Sequence, residues 1–130
     1  MGPSRARPVV LDSGALVAFE RNDRRVRRLI ELASEHARPL HAPAAVIAQV
    51  WRDGARQARL AALVKSGLLE VRDLDLDEAR AAGALCGASG TADVVDASVA
   101  LLARRHHAAV LTSDPDDMRQ LDPGLPLVIC

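Results

Sequence analysis

The chain has 130 residues, of which 49% are hydrophobic and 26% charged; this suits one globular domain and excludes a disordered segment. Seventeen basic residues cancel seventeen acidic ones, so any nucleic-acid contact must come from local patches and not from an overall field. Cys86 and Cys130 are too few for a disulfide framework, and no His pattern accompanies them to suggest zinc.

The chain opens on a basic arm, MGPSRARP, and residues 1–7 are expected to be flexible, with the domain proper spanning 8–130. PVVL (8–11) is an apolar run stopped by Asp-Ser-Gly, a buried strand followed by a turn. No signal peptide or membrane span can be built from this start, so a cytoplasmic protein with no membrane contact is expected. GALVAFE (14–20) reads as a short helix, and Asn22 or Asp23 can cap a longer one carrying Val26, Leu29, Ile30 and Ala33 at helical spacing. RPLHAP (38–43) is a strand ended by Pro43. A helical pattern runs from Ala44 to Trp51, is interrupted at Asp53-Gly54 and resumes as far as Lys65. LLEVRDL (68–74) is a third strand, DLDEARAAGAL the helix after it, and Gly87 to Gly90 a break. Thr91 can cap the next helix, TADVVDASVALLARR (91–105), which is apolar on nearly every side. AAVLTS (108–113), DPDDMRQL and LPLVI (125–129) complete the chain as strand, helix and strand. Strands alternating with helices imply an α/β domain whose parallel sheet is covered on both faces.

In such a sheet, functional groups gather beyond the carboxyl ends of the strands, where strand order reverses. That rule selects Asp12, directly after the first strand, and Asp114, just past the fourth. Asp96 lies in the apolar helix leading into that fourth strand, with Asp93 one turn earlier. Acids brought together repel one another unless protons or cations intervene, and ligands that are all oxygen favour Mg²⁺ or Mn²⁺. Plainer readings exist: Asp12 and Asp114 could cap the helices that follow them, and Asp93 could serve the helix macrodipole. Asp96, read as lying beyond the first turn, is not explained by capping. The four histidines, His36, His41, His106 and His107, read as surface or structural groups. No Gly-rich phosphate loop follows the first strand, which argues against nucleotide-triphosphate chemistry.

Two arginine clusters could meet an anion, either RNA phosphate or an acidic partner segment. Arg24, Arg25, Arg27 and Arg28 crowd a helix start, where positive charge opposes the macrodipole. Arg52, Arg56 and Arg59 form a stripe if the helix survives Gly54. A solvated arginine face is the default for each. One Phe, one Trp and no Tyr leave few platforms for stacking bases.

LDSGALVAF, AAVIAQVWR and DASVALLARRHHAAVLTSD, in that order, resemble the PIN-domain family, in particular VapC-type toxins of bacterial toxin–antitoxin pairs. The resemblance implies a Mg²⁺- or Mn²⁺-dependent endoribonuclease with a five-stranded parallel sheet in the order 3-2-1-4-5. It implies that Asp12, Asp96 and Asp114 bind the metal and act in catalysis, with Asp93 in support. It further implies a VapB-type antitoxin that inserts a segment near the site, and a homodimer. Arg24, Arg28, Arg52 and Arg56 are then candidate RNA or antitoxin contacts, as are Trp51 and the faces around Val17, Phe19 and Leu29. The family's usual Glu in the helix after the second strand is here Gln49, which can offer an oxygen to a metal or orient substrate but brings no charge. Asp53, read as on the same helix face, or Glu20 or Asp93, could compensate. Two rivals follow: a PIN-like binding module that does not cut, and a receiver or phosphoryl-transfer domain, against which the absence of a second Asp two residues after Asp12 argues.

Overall fold

The computed structural model describes residues 7–130, so the expected flexible arm lies outside the described residues except for Arg7. Among the described residues five strands alternate with seven helices. The strands are β1 (Val9–Leu11), β2 (Leu40–Pro43), β3 (Leu69–Arg72), β4 (Ala109–Thr112) and β5 (Leu127–Ile129). All neighbours pair in parallel, in the order β3-β2-β1-β4-β5. This is the α/β fold and strand order the resemblance implied. The central strands are wholly buried, as parallel strands covered on both faces must be, and apolar except for His41 in β2 and Thr112 in β4. The edge strand β3 instead alternates, LEVR, and exposes Glu70 and Arg72, which pair with each other at 2.8 Å.

The helices are α1 (Ser13–Glu20), α2 (Arg24–Glu35), α3 (Ala44–Val50), α4 (Ala58–Lys65), α5 (Leu76–Ser89), α6 (Val94–His106) and α7 (Pro115–Leu121). α6 buries Ala97, Val99, Ala100, Leu102 and Ala103 between the sheet and α5, which explains a helix apolar on most sides. Of the two candidate caps for α2, Asp23 is the one used, its carboxylate accepting from Val26 N–H at 3.0 Å.

Two local readings are corrected, and the interruption read at Asp53-Gly54 is found. α5 runs on through Gly87 to Ser89, because Ala82 and Cys86 bury one face against Ala97, Ala100 and Leu121, and that burial outweighs the helix penalty of about 1 kcal/mol per glycine. Gly90, at φ 70°, then ends the helix. Asp93, not Thr91, caps α6, accepting from Asp96 N–H at 2.9 Å. The chain does not continue helically through Gly54: Trp51 turns to extended backbone, and its ring lies where a Cβ on Gly54 would be, 2.7 Å from Cζ2. The buried Gln57 side chain holds this linker, accepting from Arg52 and Asp53 N–H and donating to Val50 O and Glu20.

Candidate active site

β1 lies between β2 and β4, so chain direction through the sheet reverses beside it, and the crevice falls at the carboxyl ends of β1 and β4. Asp12 leaves β1 still tied to the ladder, its N–H donating to Leu111 O at 3.2 Å. Its carboxylate then caps α1, accepting from Ala15 N–H at 2.8 Å. A cap of this kind contributes about 1 kcal/mol, so the structural reading of Asp12 holds. It is incomplete, because only 3% of Asp12 is exposed. Burial pushes its carboxyl above the usual range and the nearby Asp114 adds to this, while the Thr112 and Ala15 hydrogen bonds oppose it.

Asp114 stands at the N-cap position of α7, yet its side chain makes no capping bond, so the capping reading fails there. Instead its backbone N–H donates to Thr112 Oγ1 at 2.9 Å. The fully buried Thr112 hydroxyl therefore joins the two acids, bonding Asp12 on one side and holding the Asp114 backbone on the other.

Asp96 approaches from α6. Because the helix starts at Val94, Asp96 belongs to the first turn, contrary to the sequence reading, and the macrodipole favours its charge. The surroundings overrule that preference: burial first, then Asp93, Asp12 and Asp117, push its carboxyl up to about 7. Asp93 spends one oxygen on the cap of α6. Asp117, which the sequence reading passed over, lies in the first turn of α7 and shares a small cavity of about 130 Å³ with Asp93, Asp96 and Thr91. Among the described residues none of these five acids pairs with an arginine, lysine or histidine.

Gln49 reaches the same end of the sheet from α3, where the Ser13 hydroxyl donates to its Oε1. Gly14 allows the loop after β4 to close over α1, since a Cβ there would meet Ser113 Oγ at 1.9 Å. Ser13, Thr112 and Asp117 were all within quoted motifs, but only packing shows what they touch.

Of the three proposed substitutes for a Glu at position 49, Asp93 is at the site beside Asp96, and Glu20 and Asp53 are not. Glu20 lies at the far end of α1 from Asp12, bonded to Gln57. Asp53 is in the linker rather than on a helix face, occupied with Ala55 N–H and Arg56. The arginine stripe also dissolves: Arg52 donates to Ala48 O and Trp51 O, and Arg56 pairs with Asp53 at 3.7 Å. On α2, Arg28 reaches Glu31 and Glu35 at 3.4 and 3.5 Å, the solvated-face reading, whereas Arg24 is exposed with no acid at pairing distance among the described residues. Phe19, Trp51, Val17 and Leu29 are half-buried against the core.

Asp12, Asp96 and Asp114 thus share one end of the sheet, with Asp114 repelling Asp12 and Asp12 repelling Asp96, and oxygen is their only donor atom. As they stand, no three Asp, Glu, His or Cys groups among the described residues close around one point as a metal would require. The donor set nevertheless fits a hard divalent cation by chemistry and by charge.

A model of the PIN domain matches residues 9–122. The chain belongs to the PIN-domain family. No curated protein sequence matches it. This PIN domain is similar in fold to VapBC2 from Rickettsia felis bound to a promoter DNA fragment, with a TM-score of 0.71 at 16% identity over 94% of this chain and 98% of that one. A toxin–antitoxin complex from Klebsiella pneumoniae gives 0.69 at 15% identity over 92% and 95% of the two chains. DNA-bound VapBC from Salmonella typhimurium gives 0.66 at 18% identity over 95% and 98%. At these identities the likeness is one of fold. It extends to nearly the whole of each matched chain.

Proposed function

We propose that this PIN domain is a Mg²⁺- or Mn²⁺-dependent endoribonuclease, the toxin of a type II toxin–antitoxin pair. The observation that carries the reading is a set of acids at the switch point of the sheet, Asp12 buried and Asp96 half-buried among them, with no cationic side chain among the described residues at pairing distance. Asp12, Asp96 and Asp114 would hold the ion, with Asp93 beside them. When bound, such an ion polarises a phosphoryl oxygen and lowers the pKa of water, which is the chemistry of phosphodiester hydrolysis. The chain's own part is placement: the cap at Ala15 orients Asp12, Thr112 ties Asp12 to the backbone of Asp114, and the start of α6 presents Asp96.

The toxin–antitoxin structures that share this fold support a small VapB-type antitoxin as partner. A groove of about 590 Å³ between α2 and α4 suits its apolar segment, with Phe19, Ile30 and Leu63 along the floor and Arg27 and Arg59 at the rim. A homodimer and action on cytoplasmic RNA belong to the same reading. Cleavage of bulk RNA tests it: the purified chain is expected to cut with Mn²⁺ or Mg²⁺, to stop in EDTA and to lose activity in Asp12→Asn. Equal cleavage by Asp12→Asn at unchanged circular dichroism would refute it. One observation favours a second reading, a PIN-like module that binds without cutting: position 49 carries an amide. That reading predicts no cleavage of any RNA and no metal affinity dependent on Asp96.

A further inference from the structure

The structure distinguishes the two ends of the Gln49 amide. α3 brings the side chain against the first residue of α1, and the Ser13 hydroxyl donates to Oε1. Among the described residues Nε2 has no recorded partner, and Gln49 is exposed. Ser13 itself has little freedom. The Asp12 carboxylate before it is fixed on Ala15 N–H, and Gly14 after it is packed against Ser113. The amide is therefore held by its oxygen from a rigid point beside Asp12, with its N–H donors left unpartnered among the described residues.

This orientation bears on what Gln49 can bind. A carbonyl oxygen has a second lone pair, but the Ser13 hydroxyl proton lies beside it. A divalent cation placed there would face the positive end of the O–H dipole. The free N–H groups suit an anion instead, and hydrogen bonds to ionised acceptors are roughly twice as strong as neutral ones. A phosphodiester oxygen is such an acceptor, and a carboxylate at position 49 would repel it.

We propose that Gln49 binds substrate phosphate and not metal, and that Ser13 is a positioning residue that aims its amide. The inference rests on the ribonuclease reading above.

Two affinities separate the roles: that for Mn²⁺ without RNA, by calorimetry, and that for a mixed-sequence 2′-O-methyl phosphorothioate oligoribonucleotide at saturating Mn²⁺. Gln49→Ala is expected to leave the Mn²⁺ affinity within about twofold and to weaken the oligonucleotide about tenfold, the size of one charge-assisted hydrogen bond. Gln49→Glu should tighten Mn²⁺ and weaken the oligonucleotide. Ser13→Ala should weaken the oligonucleotide less than Gln49→Ala and raise KM more than it lowers kcat, and Ser13→Thr should restore both. An Mn²⁺ affinity lowered tenfold or more in Gln49→Ala would make the carbonyl a ligand and overturn the proposal. An unchanged oligonucleotide affinity in that variant would overturn it as well. A wild type without Asp96-dependent Mn²⁺ binding would remove the ribonuclease reading and this inference together.

Discussion

Asp96 and Asp122 lie against opposite ends of α6, and their surroundings push them in opposite directions. At the C-terminal end, Arg104 in the last turn donates to Asp122 at 2.7 Å and holds that carboxyl below its usual range. At the N-terminal end, Asp96 has no cation among the described residues, and burial with three neighbouring acids pushes it up to about 7. Sixteen of the chain's seventeen basic residues are arginine and could have supplied a partner. The same helix is thus neutralised where it only packs and left frustrated where the sheet switches direction. Such local conflict within an otherwise consistent fold marks a functional site.

The largest effect should come from removing the frustrated charge. Asp96→Asn is expected to lower RNA cleavage by more than about 100-fold, beyond the loss typical of residues one shell further from a metal. The same change should stabilise the metal-free protein at pH 8. Because the folded Asp96 titrates about 7 and its unfolded value is 3.8, the wild type loses stability as pH rises between those values. The Tm advantage of Asp96→Asn should therefore be absent below pH 3.8, grow through that window and level off above 7. The full shift is discounted for partial exposure, leaving a gain on the order of 1–2 kcal/mol. Denaturation curves across pH check the sign.

Next in size is Gly14→Ala. The added Cβ would meet Ser113 Oγ at 1.9 Å, so either α1 or the loop after β4 must move. A loss of about 1–3 kcal/mol is expected, as for overpacking, together with reduced cleavage, because both segments carry site acids. Urea unfolding beside an activity assay would separate the two effects.

A smaller effect lies away from the acids. His41 is buried on β2 and stacked on His106, with ring centroids 4.6 Å apart. Burial, His106 and Arg72 lower its pKa, Glu70 opposing, so its neutral form belongs to the fold. Stability from this group is whole above pH 6.5 and declines as pH falls below that value. Asp96 gives both proteins the opposite trend, so the test is the difference: between pH 7.5 and 5.5 the urea midpoint of the wild type should fall relative to that of His41→Phe. The smallest effect is expected at the neutralised end of α6. Arg104 is 46% exposed in its pair with Asp122, so Asp122→Asn should cost no more than about 1 kcal/mol and leave cleavage unchanged.

Much of the fold and part of the site were legible in the sequence, although the Arg104–Asp122 pair was not. All five strands were read from short segments bounded by turn residues or helical patterns, and the rule for strand ends selected Asp12 and Asp114 without reference to any relative. What escaped the sequence were choices between near-equivalent residues, decided by packing. Thr91 and Asp93 are both good caps two residues apart, and which one is used decides whether Asp96 lies in or beyond the first turn. Gly54 is compatible with a continuous helix until the Trp51 ring occupies the space beside it, and with the helix go the arginine stripe and the placement of Asp53. Thr112 could not be recognised as a bridge, because its role depends on Asp12, a hundred residues away in sequence, closing onto β4. The Ser13–Gln49 bond is of the same kind: Gln49 stood out in the sequence but Ser13 did not, and the contact is made only when α3 packs on α1.

In the proposed site, acids with no counter-charge among the described residues would gain one from a divalent ion. The most direct test is the thermal unfolding midpoint at pH 8 as Mn²⁺ is raised, for the wild type and Asp96→Asn side by side. Binding to the folded state alone raises stability by RT ln(1 + [L]/Kd), about 2.7 kcal/mol at one hundred times Kd. The account predicts that the wild-type midpoint climbs with Mn²⁺ towards and past that of Asp96→Asn, while the variant barely moves. Equal shifts in the two proteins, or none in either, would contradict it.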